Sequence, residues 1–218
     1  EIYSEIADAT KMLFTEEDMA AYVLNSKLEF APGSVFEYSS GTSNLLSQLI
    51  SNQFDYYDDY LDFPYNSLFD PLGMGSIVLE TDEAGNYVLS SYCFATPRDW
   101  AKLGLLYLHE GVWNGDTIFT KQWLEYTLKP TEVSPDQSYG AHIWLNTNHN
   151  DIKNGPESMY KFSGYEGQYV FMIPDYNAVV VRMGLSEGPY FDMDGVIKRI
   201  LEGLEPKSSA LRAEVIND

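Results

Sequence analysis

Apolar and polar positions are organised differently in the two parts of the chain. In the first part, helix start and stop signals frame the apolar residues and predict helices at 15–25, 43–52, 97–108 and 121–128. After Tyr139, runs of alternating and continuous apolar residues predict strands at 141–145, 168–173 and 178–183, followed by a last helix at 194–204. A shorter extended pair, 77–79 and 87–89, predicts a hairpin around the turn residues 82–85.

Helices early and antiparallel strands late predict an α+β fold, with an antiparallel sheet flanked by helices and a helical subdomain. We expect residues 1–135 to form a mostly helical region, and residues 136–218 to supply the C-terminal strands and last helix of the sheet domain. Both regions are expected to belong to one folding unit.

Two glycines mark the entry to the most apolar strand pair, which covers 162–184. Because glycine has no Cβ, the backbone between Gly164 and Gly167 can approach another group closely. A backbone N–H group at such a strand end can stabilise an oxyanion, so this stretch favours a hydrolase.

Composition narrows the possible functions. The chain has 218 residues and a formal charge of −20, which argues against nucleic acid and anionic membranes as partners and favours an acidic, solvated surface. Aromatic residues make up 15% of the chain and indicate a packed core. The sequence contains no membrane-spanning stretch and opens at Glu1 in mid-pattern, so we expect it to be a segment of a longer protein. The compartment cannot be read from it.

Other nucleophiles and metal sites have little support. Cys93 is the single cysteine and stands between two aromatic residues, so a core position is favoured over a Cys–His–Asn catalytic site. The histidines at 109, 142 and 149 lack metal-ligand spacing, and the carboxylates near Asp192 do not fit a calcium loop. No cofactor or metal is expected.

Two other positions are candidates for catalytic residues. Tyr38 follows a short extended piece and precedes a helix, and a Tyr can act as a base when a neighbouring cation stabilises its phenolate. Judged by spacing alone, a core role for Tyr38 is more common. Ser158 and Lys161 form the one Ser-x-x-Lys pattern of the chain, but strand-like sequence follows at once, so we interpret it as a coincidence.

Five phrases, in this order, resemble the serine β-lactamase/penicillin-binding-protein superfamily. The similarity is to its class C-like branch, which includes family VIII esterases and aminohexanoate-oligomer hydrolases. The phrases are PGSVFEYSSGTSNLL (32–46), LFDPLGM (68–74), ATPRDWAKLGLLY (95–107), GVWNG (111–115) and GYEGQYV (164–170).

The resemblance implies a set of site residues. Tyr38 corresponds to the family's catalytic Tyr, and Ser40 to the third place of the same motif. The segment Tyr165-Glu166-Gly167 corresponds to the strand motif that lines the cleft. The backbone N–H of Gln168 would then be one oxyanion donor.

Two departures from the family pattern bear on the substrate. Tyr165 stands where the family usually has His or Lys, and Ser40 stands where it usually has Asn. A phenol supplies no positive charge for the carboxylate of a β-lactam, so we expect a less anionic ester or amide as the small-molecule substrate. The resemblance weakly favours a periplasmic or secreted protein.

The nucleophile itself is a third departure. The family's Ser-x-x-Lys lies upstream of everything matched here, and by this alignment it precedes Glu1. We therefore expect the upstream part of the same protein, or another chain, to supply the nucleophile, and the segment alone to be inactive. The alternative is a non-catalytic, penicillin-binding-like module, which the substitutions at 165 and 40 would also fit. A carbohydrate- or metal-binding domain has no supporting motif.

Overall fold

The computed structural model describes residues 7–186 and 191–206. The chain divides by packing into two compact units, Glu1–Thr96 and Pro97–Asp218. The division at residue 135, expected from the sequence, stays a prediction.

Helices dominate the first unit. They are α1 (Asp8–Thr15), α2 (Met19–Leu24), α3 (Ser40–Ser51) and α4 (Tyr57–Pro64), the last continued by a π-helical turn at Tyr65–Phe69. Two short strands, β1 (Val78–Leu79) and β2 (Cys93–Phe94), pair antiparallel. A small core of Met12, Met19 and Val88 packs beside them.

Helix α3 turns polar residues inward and apolar residues outward. Asn44 and Ser47 are buried, whereas Leu49 is 52% exposed. The buried polar groups are bonded: the Asn44 amide oxygen accepts from the Ser90 N–H at 3.3 Å, and Ser47 Oγ lies 3.1 Å from the Tyr60 hydroxyl. Because unpaired polar groups are costly inside a protein, these bonds fix how α3 sits in the unit.

The second unit is built on an antiparallel sheet with the strand order β5-β6-β7-β8. The strands are β5 (Trp144–Leu145), β6 (Tyr160–Gly164), β7 (Gln168–Ile173) and β8 (Ala178–Arg182). The helices are α5 (Pro97–Leu108), α6 (Lys121–Thr127) and α7 (Met193–Glu202), and a hairpin of β3 (Val112–Trp113) and β4 (Asp116–Thr117) follows α5.

Alternate residues of β7 point to opposite faces of this sheet, and each face has its own helix. Val170 and Met172 belong to a core that includes Trp100 and Tyr107 of α5. Phe171 and Ile173 belong to a core that includes Ile197 of α7. The α+β class predicted from the sequence, an antiparallel sheet flanked by helices with a further helical part, is confirmed.

The close approach of α5 to the sheet depends on Gly104. A Cβ at this position would lie 2.7 Å from Val179 Cγ1 and 2.9 Å from Val170 Cγ1, shorter than real carbon–carbon contacts. The helix can therefore lie directly against β7 and β8 only with glycine at this position.

Two early predictions are confirmed only in part. The helix predicted at 15–25 forms as α2, but it begins at Met19, after its N-cap Asp18, which accepts from Ala21 N–H at 2.8 Å. The hairpin predicted between 77–79 and 87–89 is reduced to one antiparallel bridge, Thr81 with Tyr87, and β1 pairs with β2 instead.

A side chain also takes up a backbone donor of this hairpin. The N–H of Tyr87 donates to the Tyr60 hydroxyl at 2.8 Å. The turn expected at 82–85 does form, with Gly85 at φ 89° and its N–H bonded to the Asp82 carbonyl.

The sequence pattern also missed six of these elements: α1, α4, β2, β3, β4 and β6. Strand β6 has Lys161 at its second position and ends in Ser163-Gly164, residues that are unusual in a buried strand. It forms because it pairs with β7 over five residue pairs. The other predicted helices and strands are confirmed, with shifts of a few residues at their ends.

Replacing Tyr60 by Phe tests the polar interior of the first unit. The Tyr60 hydroxyl serves both Ser47 and the Tyr87 N–H, and Tyr60 is 3% exposed. Tyr60→Phe leaves two buried polar groups unpaired, so we expect it to lower the free energy of unfolding by about 1–3 kcal/mol, measured by urea denaturation.

Tyr57→Phe is the matched control, because the Tyr57 hydroxyl also bonds a backbone group, donating to the Gly85 carbonyl, but its side chain is 52% exposed. We expect a change within about 0.5 kcal/mol for this variant. Equal losses in the two variants would contradict the role given to Tyr60.

Candidate active site

Tyr38 and Ser40 lie at the beginning of α3 in the first unit. Tyr38 lies in a non-helical segment, Ser39 is the N-cap at φ −134° and ψ 124°, and Ser40 is the first helical residue. Tyr38 is 58% exposed and Ser40 is partly buried. The alternative that Tyr38 is a core residue is therefore wrong, and its role in catalysis stays a prediction.

The other predicted site residues form one turn in the second unit. Tyr165–Gly167 connects β6 to β7, and Gln168 is the first residue of β7. Glu166 and Gly167 have successive positive φ values of 55° and 84°, the pattern of a tight hairpin turn that suits the twist of its strands. Tyr165 is 86% exposed, so its ring projects from the turn.

The strand predicted at 168–173 is confirmed, and Tyr165, Glu166 and Gly167 form the glycine-rich entry to it. Strand β6 ends at Gly164, which pairs with Gln168, and the three residues between them lie in the turn. Positive φ values are incompatible with extended backbone, so the chain cannot continue as a strand here. Their role in a site stays a prediction, as does that of the Gln168 N–H.

Side chains from β7 and β8 brace this turn. The Gln168 amide makes two bonds to the backbone of Gly184, donating to its carbonyl at 2.6 Å and accepting from its N–H at 3.0 Å. The Arg182 guanidinium donates to the Gly167 carbonyl and to Ser186 Oγ. The Ser186 N–H donates to the Glu166 carbonyl at 3.1 Å. The turn and the segment after β8 are thus joined at several points, which the sequence did not reveal.

The Ser-x-x-Lys pattern at 158–161 does not form a helical catalytic pair. Ser158 lies exposed in a turn, whereas Lys161 is buried in β6. The Lys161 ammonium pairs with Asp151 and lies 5.0 Å from the ring centre of Tyr169. In a catalytic Ser-x-x-Lys pair, both side chains must face the same cleft. Ser158 is exposed and Lys161 is buried, so these two residues do not form such a pair.

Three titratable groups with raised pKa values are poorly suited to catalysis. Burial raises the pKa of the Tyr107 and Tyr160 phenols, which adjoin a pocket of about 390 Å³, so both stay neutral. Burial also raises the pKa of the Cys93 thiol to about 11. Within the described ranges, no three His, Cys, Asp or Glu side chains converge to hold a metal ion.

The second unit has a sheet with a helix on each face, and the first unit has an exposed Tyr before the start of α3. The chain belongs to the Beta-lactamase family, whose sequence profile matches residues 3–205. This match confirms the superfamily that the five sequence phrases indicated.

Solved structures of low sequence identity share the fold. One, "Putative 6-aminohexanoate-dimer hydrolase from Bacillus anthracis", superposes with a TM-score of 0.69 at 23% identity, over 85% of this chain and 47% of that protein. A β-lactamase from Mycobacterium bovis gives 0.62 at 15% identity, over 86% of this chain and 72% of that protein. The chain thus spans about half the length of the first of these proteins. No curated protein sequence matches it significantly.

The helices of the described residues include none that is both long and apolar enough to cross a membrane.

Thiol reactivity tests the exclusion of Cys93. With its pKa raised to about 11, its thiolate fraction at pH 8 should be about 100-fold smaller than that of an ordinary thiol. We expect slow iodoacetamide labelling at pH 8 that accelerates as the pH approaches 11.

The same protein in denaturant is the control and should label rapidly, and Cys93 is the single cysteine, so the signal is unambiguous. Rapid labelling of the folded protein at pH 8 would show that the thiol is activated.

Proposed function

We propose that the protein is a serine hydrolase that cleaves ester or amide bonds through an acyl-enzyme. The observation that carries this proposal is the Beta-lactamase family match over residues 3–205, which includes both the Tyr38 segment and the braced turn at 165–168. The nucleophilic serine belongs to a Ser-x-x-Lys motif in a part of the protein outside this chain.

In the proposed reaction, the seryl oxygen attacks the acyl carbon of the substrate. Its proton passes to the Tyr38 oxygen, assisted by the motif lysine, and then to the departing alcohol or amine as the acyl–leaving-group bond breaks. A water molecule then attacks the acyl-enzyme with the same proton path, releasing the acid and restoring the serine.

The oxyanion formed in each step needs hydrogen-bond donors held in place beforehand. We assign one donor to the Gln168 N–H, at the junction of the turn and β7. Ser40, Tyr165, Glu166 and Gly167 are proposed to contact the substrate. The exposed ring of Tyr165 gives this surface a neutral, aromatic contact in place of a cation.

A second candidate is a non-catalytic binding module of the same family. It is favoured by the two departures from the family motif, Ser40 and Tyr165, both at positions that would contact substrate. The two candidates differ in whether the full-length protein forms a covalent acyl-enzyme.

Covalent labelling of the full-length protein by a fluorophosphonate probe distinguishes them. We expect one labelled serine in the wild type and at least a hundredfold slower labelling in Tyr38→Phe, because general-base catalysis contributes about 10²–10⁴-fold. Tyr56→Phe is the matched control, an exposed tyrosine of the same unit.

The Ser158→Ala variant should be labelled at the same rate as the wild type, because Ser158 is exposed in a turn and Lys161, the lysine of its pattern, is paired with Asp151. Absence of labelling in the wild type would support the binding module. Equal labelling of the wild type and Tyr38→Phe would remove Tyr38 from the mechanism.

Substrate preference tests the proposed contact of Tyr165. A charge-assisted hydrogen bond is worth about 1.5–3 kcal/mol, so lacking a cation at 165 should cost a β-lactam carboxylate roughly tenfold or more. We expect kcat/KM for p-nitrophenyl butyrate to exceed that for nitrocefin.

Tyr165→Lys should shift this ratio toward nitrocefin, and Tyr165→Gln, which adds no charge, should not. Faster nitrocefin turnover by the wild type would contradict the substrate assignment.

A further inference from the structure

The second unit contains a pocket of about 390 Å³ that the proposed reaction does not use. It lies between the end of α5, helix α6 and the segment that joins β5 to β6. Tyr160, the first residue of β6, lines the pocket, whereas the turn at 165–167 follows Gly164, the last residue of that strand. Extended chain rises about 3.3 Å per residue, so the pocket and the turn lie at opposite ends of β6.

The inner wall of this pocket is apolar. It is formed by the buried side chains of Leu124, Leu145, Met159 and Tyr160 and by the half-buried side chains of Leu108 and Leu128. The Tyr160 hydroxyl donates to the Tyr107 carbonyl at 3.2 Å, so its hydrogen-bonding need is met within the wall. Such a wall favours an apolar group, and small-molecule sites have volumes of about 300–1,000 Å³, a range that includes this pocket.

The mouth of the pocket carries negative charge. Glu110 and Glu157 line it, and both are exposed. Lys121 donates to both carboxylate oxygens of Glu110 at 2.9 Å, which offsets the charge of Glu110. Glu157 Oε1 lies 3.9 Å from His149 Nε2, which is too far for a hydrogen bond. Glu157 is therefore the carboxylate of the mouth that can accept from a ligand.

The segment that carries Glu157 is held in place before any ligand binds. Asn146 is 2% exposed, and its amide donates to the carbonyls of Ile152, Gly155 and Pro156 at 2.9, 3.3 and 3.1 Å. The Asn146 amide oxygen accepts from the Ile152 N–H at 2.8 Å. One buried side chain thus ties the start of this loop to its end. A ligand at this mouth loses less affinity to the ordering of the loop.

These features select the charge and the shape of a ligand. The carboxylates at the mouth and the formal charge of −20 of the chain disfavour an anion. A small hydrated cation gains nothing from the leucine wall, and a neutral alkyl chain makes no use of the Glu157 carboxylate. A molecule with an apolar body and one ammonium group uses both parts of the pocket.

We propose that this pocket binds a small organic cation of the alkylammonium class, with its apolar body against the leucine wall and its ammonium group on the Glu157 carboxylate. The volume of about 390 Å³ suits a free small molecule. The inference does not depend on the proposed hydrolase function, because that reaction assigns no role to Glu157 or to the leucines.

The test is a titration of the full-length protein with hexylammonium at pH 7.5, followed by the ¹³C methyl resonances of its leucines. We expect the Leu124 and Leu128 resonances to shift and to saturate with a Kd on the order of 1 mM, which is reasonable for a ligand of this size. Leu201, buried in the core beside α7, is the internal control and should not shift. Shifts that do not saturate, or no shifts at Leu124 and Leu128, would overturn the site.

Three related molecules separate the contributions of charge and chain. Methylammonium has the charge without the chain, hexan-1-ol has the chain without the charge, and hexanoate has the opposite charge. We expect methylammonium and hexan-1-ol to bind at least about threefold more weakly than hexylammonium, and hexanoate not to saturate. Equal affinity for any of the three would contradict the proposed class of ligand.

Glu157→Gln tests the contact with the ammonium group. It should weaken hexylammonium binding about two- to fivefold, the usual contribution of a partly exposed ion pair, and leave hexan-1-ol binding unchanged. Glu125→Gln is the matched control, because it removes the same charge from an exposed position of α6, the helix that supplies Leu124. It should change neither affinity. Unchanged hexylammonium binding in Glu157→Gln, or equal losses in the two variants, would overturn the role given to Glu157.

Discussion

The pairing of β6 with β7 is the constraint on which the second unit depends. Its five residue pairs set Gly164 opposite Gln168 and leave three residues to reverse the chain. So short a connection demands positive φ values, which place Glu166 in a region that costs a side-chain-bearing residue about 1–2 kcal/mol. The bonds from Arg182, Gln168 and Ser186 offset that cost. Alternate residues of β7 pack into the core beside α5 and into the core beside α7. The strand that follows the turn is therefore held by both cores.

The first unit is organised by a different physical principle, in which buried polar groups specify position. Asn44 and Ser47 find partners in Ser90 and Tyr60, and each partner lies on a different segment of the unit. Hydrophobic contacts tolerate sliding, whereas a hydrogen bond is lost within a few tenths of an ångström. This network therefore defines the rotation of α3 about its axis, and with it the start of the helix, where Tyr38 and Ser40 lie.

The sequence predicted the elements that carry their own local signals. Pro97 at a first helical position and Gly111 after the last turn framed α5, and continuous apolar runs identified β7 and β8. The sequence did not predict strand β6, because this strand is stabilised by its pairing with β7 and not by the strand preference of its own residues. The turn at 165–167 could be placed before the strand, but its φ values could not be predicted, because a family phrase gives residue types only. The contact of Arg182 with Gly167 could not be foreseen, because it spans 15 residues and exists only once β8 pairs with β7.

The bracing of the turn also bears on the kind of substrate that it suits. Arg182 is a cation at the turn, yet its donors are directed at the Gly167 carbonyl and at Ser186, and its flat face covers Phe191. A guanidinium occupied in this way cannot also form the bidentate pair that makes arginine an effective carboxylate ligand. The adjacent exposed side chain, Tyr165, brings no charge, and the chain as a whole carries a formal charge of −20, which repels anions. Each of these features disfavours an anionic acyl group, which supports the proposal that the substrate is a neutral ester or amide.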